Sequence, residues 1–115
     1  MNTPEWLQGF QREIEQAKAA REAGNEGMAR VCARRAAGVV VGEYFHLKGV
    51  DLGKIGAYDR LRYLINQADT LPEIRRIAEH FVLRVIPERT LPTDADLIAE
   101  ACWLFTTLLR PLNQR

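Results

Sequence analysis

Apolar positions recur along this chain at spacings of three and four residues, the repeat of one helical face. Trp6, Leu7, Phe10, Ile14 and Ala17 form the first such face. Thr3 as N-cap and Pro4 as first helical residue would open that helix, and Gly24 suits its left-handed end. A second helix is expected from Glu26 to about Leu47, with Val31, Cys32, Ala36, Val39, Val40 and Phe45 as its buried stripe. Ala33, Ala37, Gly38 and Gly42 keep another face small, so a neighbouring helix can approach closely; the two glycines cost helix stability unless packing returns it. "KGVDLGKIG" breaks the pattern and reads as a loop.

"AYDRLRYLINQ" predicts a third helix. A fourth begins at Thr70, where Thr70-x-x-Glu73 has the form of a capping box around Pro72. Its core face is Ile74, Ile77, Ala78, Phe81 and Val85, and Pro87 stops it. A fifth starts with Thr93 as N-cap and Asp94 and Asp96 in its first turn. It buries Leu97, Ile98, Ala101, Leu104, Phe105, Leu108 and Leu109 and ends at Pro111. No segment alternates like a half-buried strand; "GVVVGEYF" is the only β-like run and has helical pattern on both sides. The expected fold is all-α, an antiparallel up-and-down bundle of four to five helices in one domain over residues 1–115.

Composition narrows the chemistry. Sixteen basic residues face 15 acidic ones, for a net charge of +1, which argues against a strongly basic nucleic-acid binder. Thirteen of the sixteen are Arg, whose planar fork reads phosphate better than Lys. There is no serine, so serine-nucleophile hydrolysis is excluded. Gly53-Lys54 lacks the rest of a phosphate-binding loop. Cys32 and Cys102 read as small buried hydrophobes in a reducing compartment. "MNTPEWLQGF" has no basic start or long apolar run, and "AAGVVVG" is too short to cross a bilayer. A cytoplasmic protein is expected, with no membrane partner, no cofactor and no metal site.

Three stretches carry a family resemblance. "EGMARVCARRAAGVVVGEYFHLKG" is similar to the second helix of HEPN domains, where small and apolar residues lead to an aromatic or Leu, then Lys and Gly. "AYDRLRYLINQ" resembles the short helix that follows, and "LPTDADLIAEACWLFTTLL" the final helix, entered through a Pro-containing loop. The resemblance covers most of the chain. It implies a HEPN-like bundle, a homodimer, and a nucleotide- or RNA-linked role, beside a separate nucleotidyltransferase chain or in a toxin–antitoxin pair. Catalytic members of the family carry Arg-x4–6-His and cut RNA without metal. Arg75 and His80 have that spacing, with the imidazole taking a 2′-hydroxyl proton and the guanidinium stabilising phosphate charge. Non-nuclease members show an aromatic, three residues, then Arg; "HFVLRVIP" lays His80 and Arg84 onto those positions. Val82 stands where members modified by a nucleotidyltransferase carry Tyr.

Helical geometry ranks these residues. Arg76 and His80 differ by about 40° around a helix, Arg75 and His80 by about 140°. Arg76, His80 and Arg84 therefore make the continuous stripe, and serve as the ligand-binding set if the domain is non-catalytic. Arg75 and His80 serve only if it is a ribonuclease, and then across a dimer or a bend. The bland alternative is a solvated face with Glu73–Arg76 and Arg75–Glu79 pairs. Arg30, Arg34 and Arg35 form the densest basic patch, open to phosphate or RNA contact or to pairing with Glu26 and Glu22. His46 lies where a cation suits the helix dipole. Trp6 reads as core, and Trp103, beside its helix's apolar face, as an oligomer contact. A structural dimer without ligand is the third possibility.

Overall fold

A computed structural model describes residues 3–83 and 95–109. The described residues form five α-helices: α1 (Glu5–Glu22), α2 (Glu26–Leu47), α3 (Ala57–Ile65), α4 (Pro72–Val82) and α5 (Leu97–Leu104). Phe105–Leu109 continues α5 as a π turn, and the described residues contain no strand. None of the helices is long and apolar enough to cross a membrane. The class is all-α, as the periodicity predicts; Arg84, Val85, Pro87, Thr93, Asp94 and Pro111 lie outside the described residues.

The 22-residue α2 is the central element, packed by the other four helices and the π turn. That position explains its sequence. Ala29, Cys32, Ala33, Ala36, Ala37, Gly38, Val40, Val41 and Phe45 are all buried, so the small residues as well as the apolar stripe face neighbours. "GVVVGEYF" is helical, and α2 ends where the sequence indicates. α1 and α2 stop in the same way. Gly24 and Gly49 take φ of 79° and 82°, and the following N–H groups of Asn25 and Val50 return to the carbonyls of Ala20 and Phe45 at 2.8 Å. This arrangement satisfies carbonyls a helix end would leave bare.

α3 lies against the small face of α2. A Cβ on Gly38 would stand 2.5 Å from the Cβ and 2.7 Å from the Cα of Ala57. Gly42 leaves space that the Arg60 guanidinium occupies. Arg60 donates to the carbonyls of Gly38 and Gly53, both at 3.3 Å, tying α3 to α2 and to the loop before it.

Prolines move two expected helix starts, and a third also differs. Pro4 is itself the N-cap of α1, extended at ψ 147°, and its carbonyl accepts the first helical bond from Gln8; Thr3 is not the cap. Pro72 is the first residue of α4, so the extended Leu71 is the N-cap and no side chain caps this end. The Thr70 hydroxyl instead donates to the Leu64 carbonyl at 2.7 Å. Proline disfavours helix in the residue before it, which removes the proposed capping box. α5 starts at Leu97, later than the pattern suggests, with Asp96 accepting from the N–H groups of Ile98 and Ala99.

Arg21 joins three elements at one corner. Its guanidinium meets Glu26 of α2 and Asp96 at the head of α5, each at 3.0 Å. Partial burial works against ionisation of Asp96, but the Ala99 N–H, the Arg21 guanidinium and the Ile98 N–H outweigh it and hold the carboxyl below its ordinary pKa.

The core runs from Phe10, Ile14 and Ala17 through α2 to Leu61, Leu64, Ile74, Phe81, Leu97 and Leu104. Trp6 and Leu7 cover its edge, partly buried, and Phe105, though only partly buried, stacks on Phe10 with ring centres 4.9 Å apart. The π turn brings residues five apart onto one side, and Leu104 and Leu109 are both fully buried. Cys32 is buried, which pushes its thiol pKa up; Cys102 is exposed, contrary to the reading of both cysteines as core. The buried positions Leu97, Ile98, Ala101, Leu104 and Leu108 share one side of this helix, and position 102 falls off it.

Candidate functional site

Two arginines of α2 and a histidine of α4 line one cleft. It has a volume of about 410 Å³ and is lined by Gly27, Arg30, Val31 and Arg34 of α2, Tyr58 of α3, His80, Phe81 and Val82 of α4, and Leu83 and Leu97. Arg30 and Arg34 stand one turn apart and so present two guanidiniums on one face. Gly27 adds the first turn of α2, where the helix dipole is positive. Its neighbour Glu26 is held by Arg21, and neither Arg30 nor Arg34 has an ion-pair partner among the described residues. The expected pairing with Glu26 is thus taken by a different arginine. No carboxylate belongs to the lining described above. Arg35, one residue further round α2, is exposed and lies outside the cleft.

His80 enters from α4 and is oriented from behind. Its Nδ1 lies 2.9 Å from Oε1 of Glu100 on α5, with the two side chains 16% and 17% exposed. A carboxylate only accepts, so Nδ1 carries the proton in this contact. In neutral His80 the lone pair therefore sits on Nε2, the nitrogen Glu100 does not engage. A carboxylate behind a histidine is the usual way to fix ring orientation and tautomer for proton transfer. Nothing in the local sequence marks Glu100, because 20 residues separate it from His80; the only hint is its place in the first turn of an otherwise apolar helix.

The other sequence candidates are distributed elsewhere. Arg75 donates through Nε to the Ile65 carbonyl at 3.0 Å and through Nη2 to the Gln67 carbonyl at 2.9 Å. With Thr70 on Leu64 and the Gln67 amide on Tyr63, it closes the carbonyl end of α3, where a cation also complements the dipole. Arg75 and His80 thus have separate partners on separate sides of α4, as their angular separation anticipates. Arg75→Met is expected to destabilise the fold by about 1.5–3 kcal/mol, the worth of charged hydrogen bonds lost from partly buried carbonyls; urea unfolding measures it, and an unchanged midpoint would refute the capping role.

Arg76 is exposed and lies in a shallow groove with Glu73, Ile77, Ala99, Glu100 and Trp103. It reaches the Glu100 side of the dyad rather than the cleft. Arg84 lies outside the described residues, so the stripe of Arg76, His80 and Arg84 is described only in its first two members. His46 is exposed in the last turn of α2. Among the described residues no three His, Cys, Asp or Glu side chains come together as metal ligands would.

Comparison of the chain with protein-family models, with curated proteins and with solved structures finds no match in any of the three.

Proposed function

We propose that this chain is a HEPN-like module that binds a nucleotide or RNA through its phosphates, as a homodimer and beside a separate nucleotidyltransferase chain. One observation carries the binding reading: Arg30, Arg34 and His80, from two helices, line one cleft that no described carboxylate lines. Two guanidiniums one turn apart on one helical face suit an oxyanion with several acceptors. Near-neutral net charge fits a local site better than a broad electrostatic surface. The family and the partner chain rest on the sequence resemblance, with which the helical fold is compatible.

The His80–Glu100 contact favours a second reading, a metal-independent ribonuclease. His80 Nε2 would take the 2′-hydroxyl proton, and the 2′-oxygen would attack the adjacent phosphorus. The 5′-oxygen of the next nucleotide would leave, taking a proton from water. Charge on the phosphate would fall to Arg30 and Arg34, which share the cleft with His80, while Arg75 remains at the end of α3.

A labelled single-stranded RNA incubated with the protein in EDTA tests both readings, by anisotropy and by gel. The binding reading expects a complex with intact RNA. Cleavage by wild type that falls about 10²–10⁴-fold in His80→Gln and also declines in Glu100→Gln would establish the ribonuclease instead. Gln keeps a donor beside Glu100, so loss of folding does not imitate loss of chemistry. Neither binding nor cleavage of the RNA, together with no binding of ADP by calorimetry, would remove both.

A further inference from the structure

We propose that Tyr58 is a nucleobase platform in this cleft, so that its ligand is a nucleobase-bearing phosphate and not a bare phosphoryl group. The proposal rests on the binding reading above and names the ligand class of the same site.

Tyr58 lines the cleft together with Arg30 and Arg34, yet it is 49% exposed. Its ring has no aromatic neighbour among the described residues, whereas Tyr44 and Tyr63 both pack edge-on to Phe45, and Trp6 lies against Phe105. A half-exposed tyrosine alone is ordinary. This one is set on a fixed backbone, because the preceding residue, Ala57, is held against Gly38 with no room for even a methyl group. The ring is therefore carried on a fixed backbone beside two arginines.

The remaining lining argues in the same direction. Val31, Phe81, Val82, Leu83 and Leu97 make much of the cleft apolar. Such walls give nothing to a small hydrated anion and penalise its desolvation. They suit a flat, weakly polar ring that stacks on an aromatic face, the sequence-tolerant mode of single-strand recognition. The volume of about 410 Å³ falls within the range of sites that enclose a small organic ligand, about 300–1,000 Å³. Phosphate on Arg30 and Arg34 with a base on Tyr58 uses both halves of the cleft at once.

The test is a calorimetric titration of the full chain with ribose 5-phosphate, ADP and a ten-nucleotide single-stranded RNA, using wild type, Tyr58→Ala and Tyr58→Phe. Tyr58→Ala should weaken ADP or RNA about 5- to 150-fold, the range for loss of one base stack, and leave ribose 5-phosphate unchanged. Tyr58→Phe should bind like wild type, since the ring and not the hydroxyl is used. A response of the RNA without ADP identifies a strand as the ligand, and a response of both identifies a nucleotide unit; either supports stacking. ADP and RNA binding that survives Tyr58→Ala overturns the proposal while leaving phosphate recognition standing. Binding of all three probes that survives Arg30→Ala with Arg34→Ala, or no binding by wild type, overturns the reading beneath it and the proposal with it.

Discussion

Replacing Arg30 and Arg34 together by Ala is expected to abolish measurable RNA or nucleotide binding while leaving the fold intact. A charge-assisted hydrogen bond is worth about 1.5–3 kcal/mol, so each guanidinium should account for a factor of about 10–150 in affinity. The two effects fall short of full additivity if both side chains hold the same phosphate. Salt dependence supplies a second readout: removing one phosphate contact to a single strand lowers the slope of log affinity on log salt by about 0.7. The structural cost is small, because neither arginine has an ion-pair partner among the described residues and Ala is the stronger helix former. Arg35→Ala is the control, one residue on and outside the cleft, and should change affinity less than about twofold, as a surface substitution does. Anisotropy at three salt concentrations decides it. A double variant that keeps both its affinity and its salt slope would show that the cleft is not the binding site.

The second large effect concerns the framework that holds the cleft. Gly38→Val should destabilise the protein by about 3 kcal/mol, the upper end of ordinary overpacking. The obstruction is main chain as well as side chain: the new Cβ meets the Cα of Ala57 at 2.7 Å, so α3 must move as a body. Gly38→Ala has the same clash, partly offset by about 1 kcal/mol of helix propensity. Gly9→Ala provides the opposite sign. Gly9 also lies inside a helix, but nothing stands within 4 Å of its would-be Cβ, so the propensity gain of about 1 kcal/mol is expected without a clash. Urea midpoints for the three variants test the contrast. Equal stabilisation by Gly9→Ala and Gly38→Ala would mean that α3 does not sit on the small face of α2. Because Tyr58 follows Ala57, the Gly38 variants should also weaken ADP or RNA more than ribose 5-phosphate.

Much of the fold was legible in the chain. The span of α2, the small face that receives α3, the core stripe of α4 and the turn at Gly24 all follow from residues a few positions apart, whose geometry a helix repeats without help from elsewhere. Helix starts beside proline were less legible: Thr3 and Thr70 have the side chains of caps, but the rigid ring sets which residue can be extended and so passes the cap to Pro4 and Leu71. The π turn was hidden because the leucine pattern from Leu104 to Leu109 fits a helix of either width.

The site was legible as an inventory and not as an assembly. Sequence spacing offered Arg75 to His80, and a stripe through Arg76 and His80. It also singled out Arg30 and Arg34 as a basic patch, with no reason to join them to His80. Periodicity determines which side of its own helix a residue occupies. The crossing of α2, α3, α4 and α5 decides what faces it: Arg30, Arg34 and Tyr58 meet His80 at one cleft, Glu100 arrives behind the imidazole, and Arg75 is turned to the carbonyls ending α3. Sequence alone therefore determined the helices and their faces, because those depend on bonds within one turn. Tertiary structure alone decided the partners, because they depend on how separate helices pack.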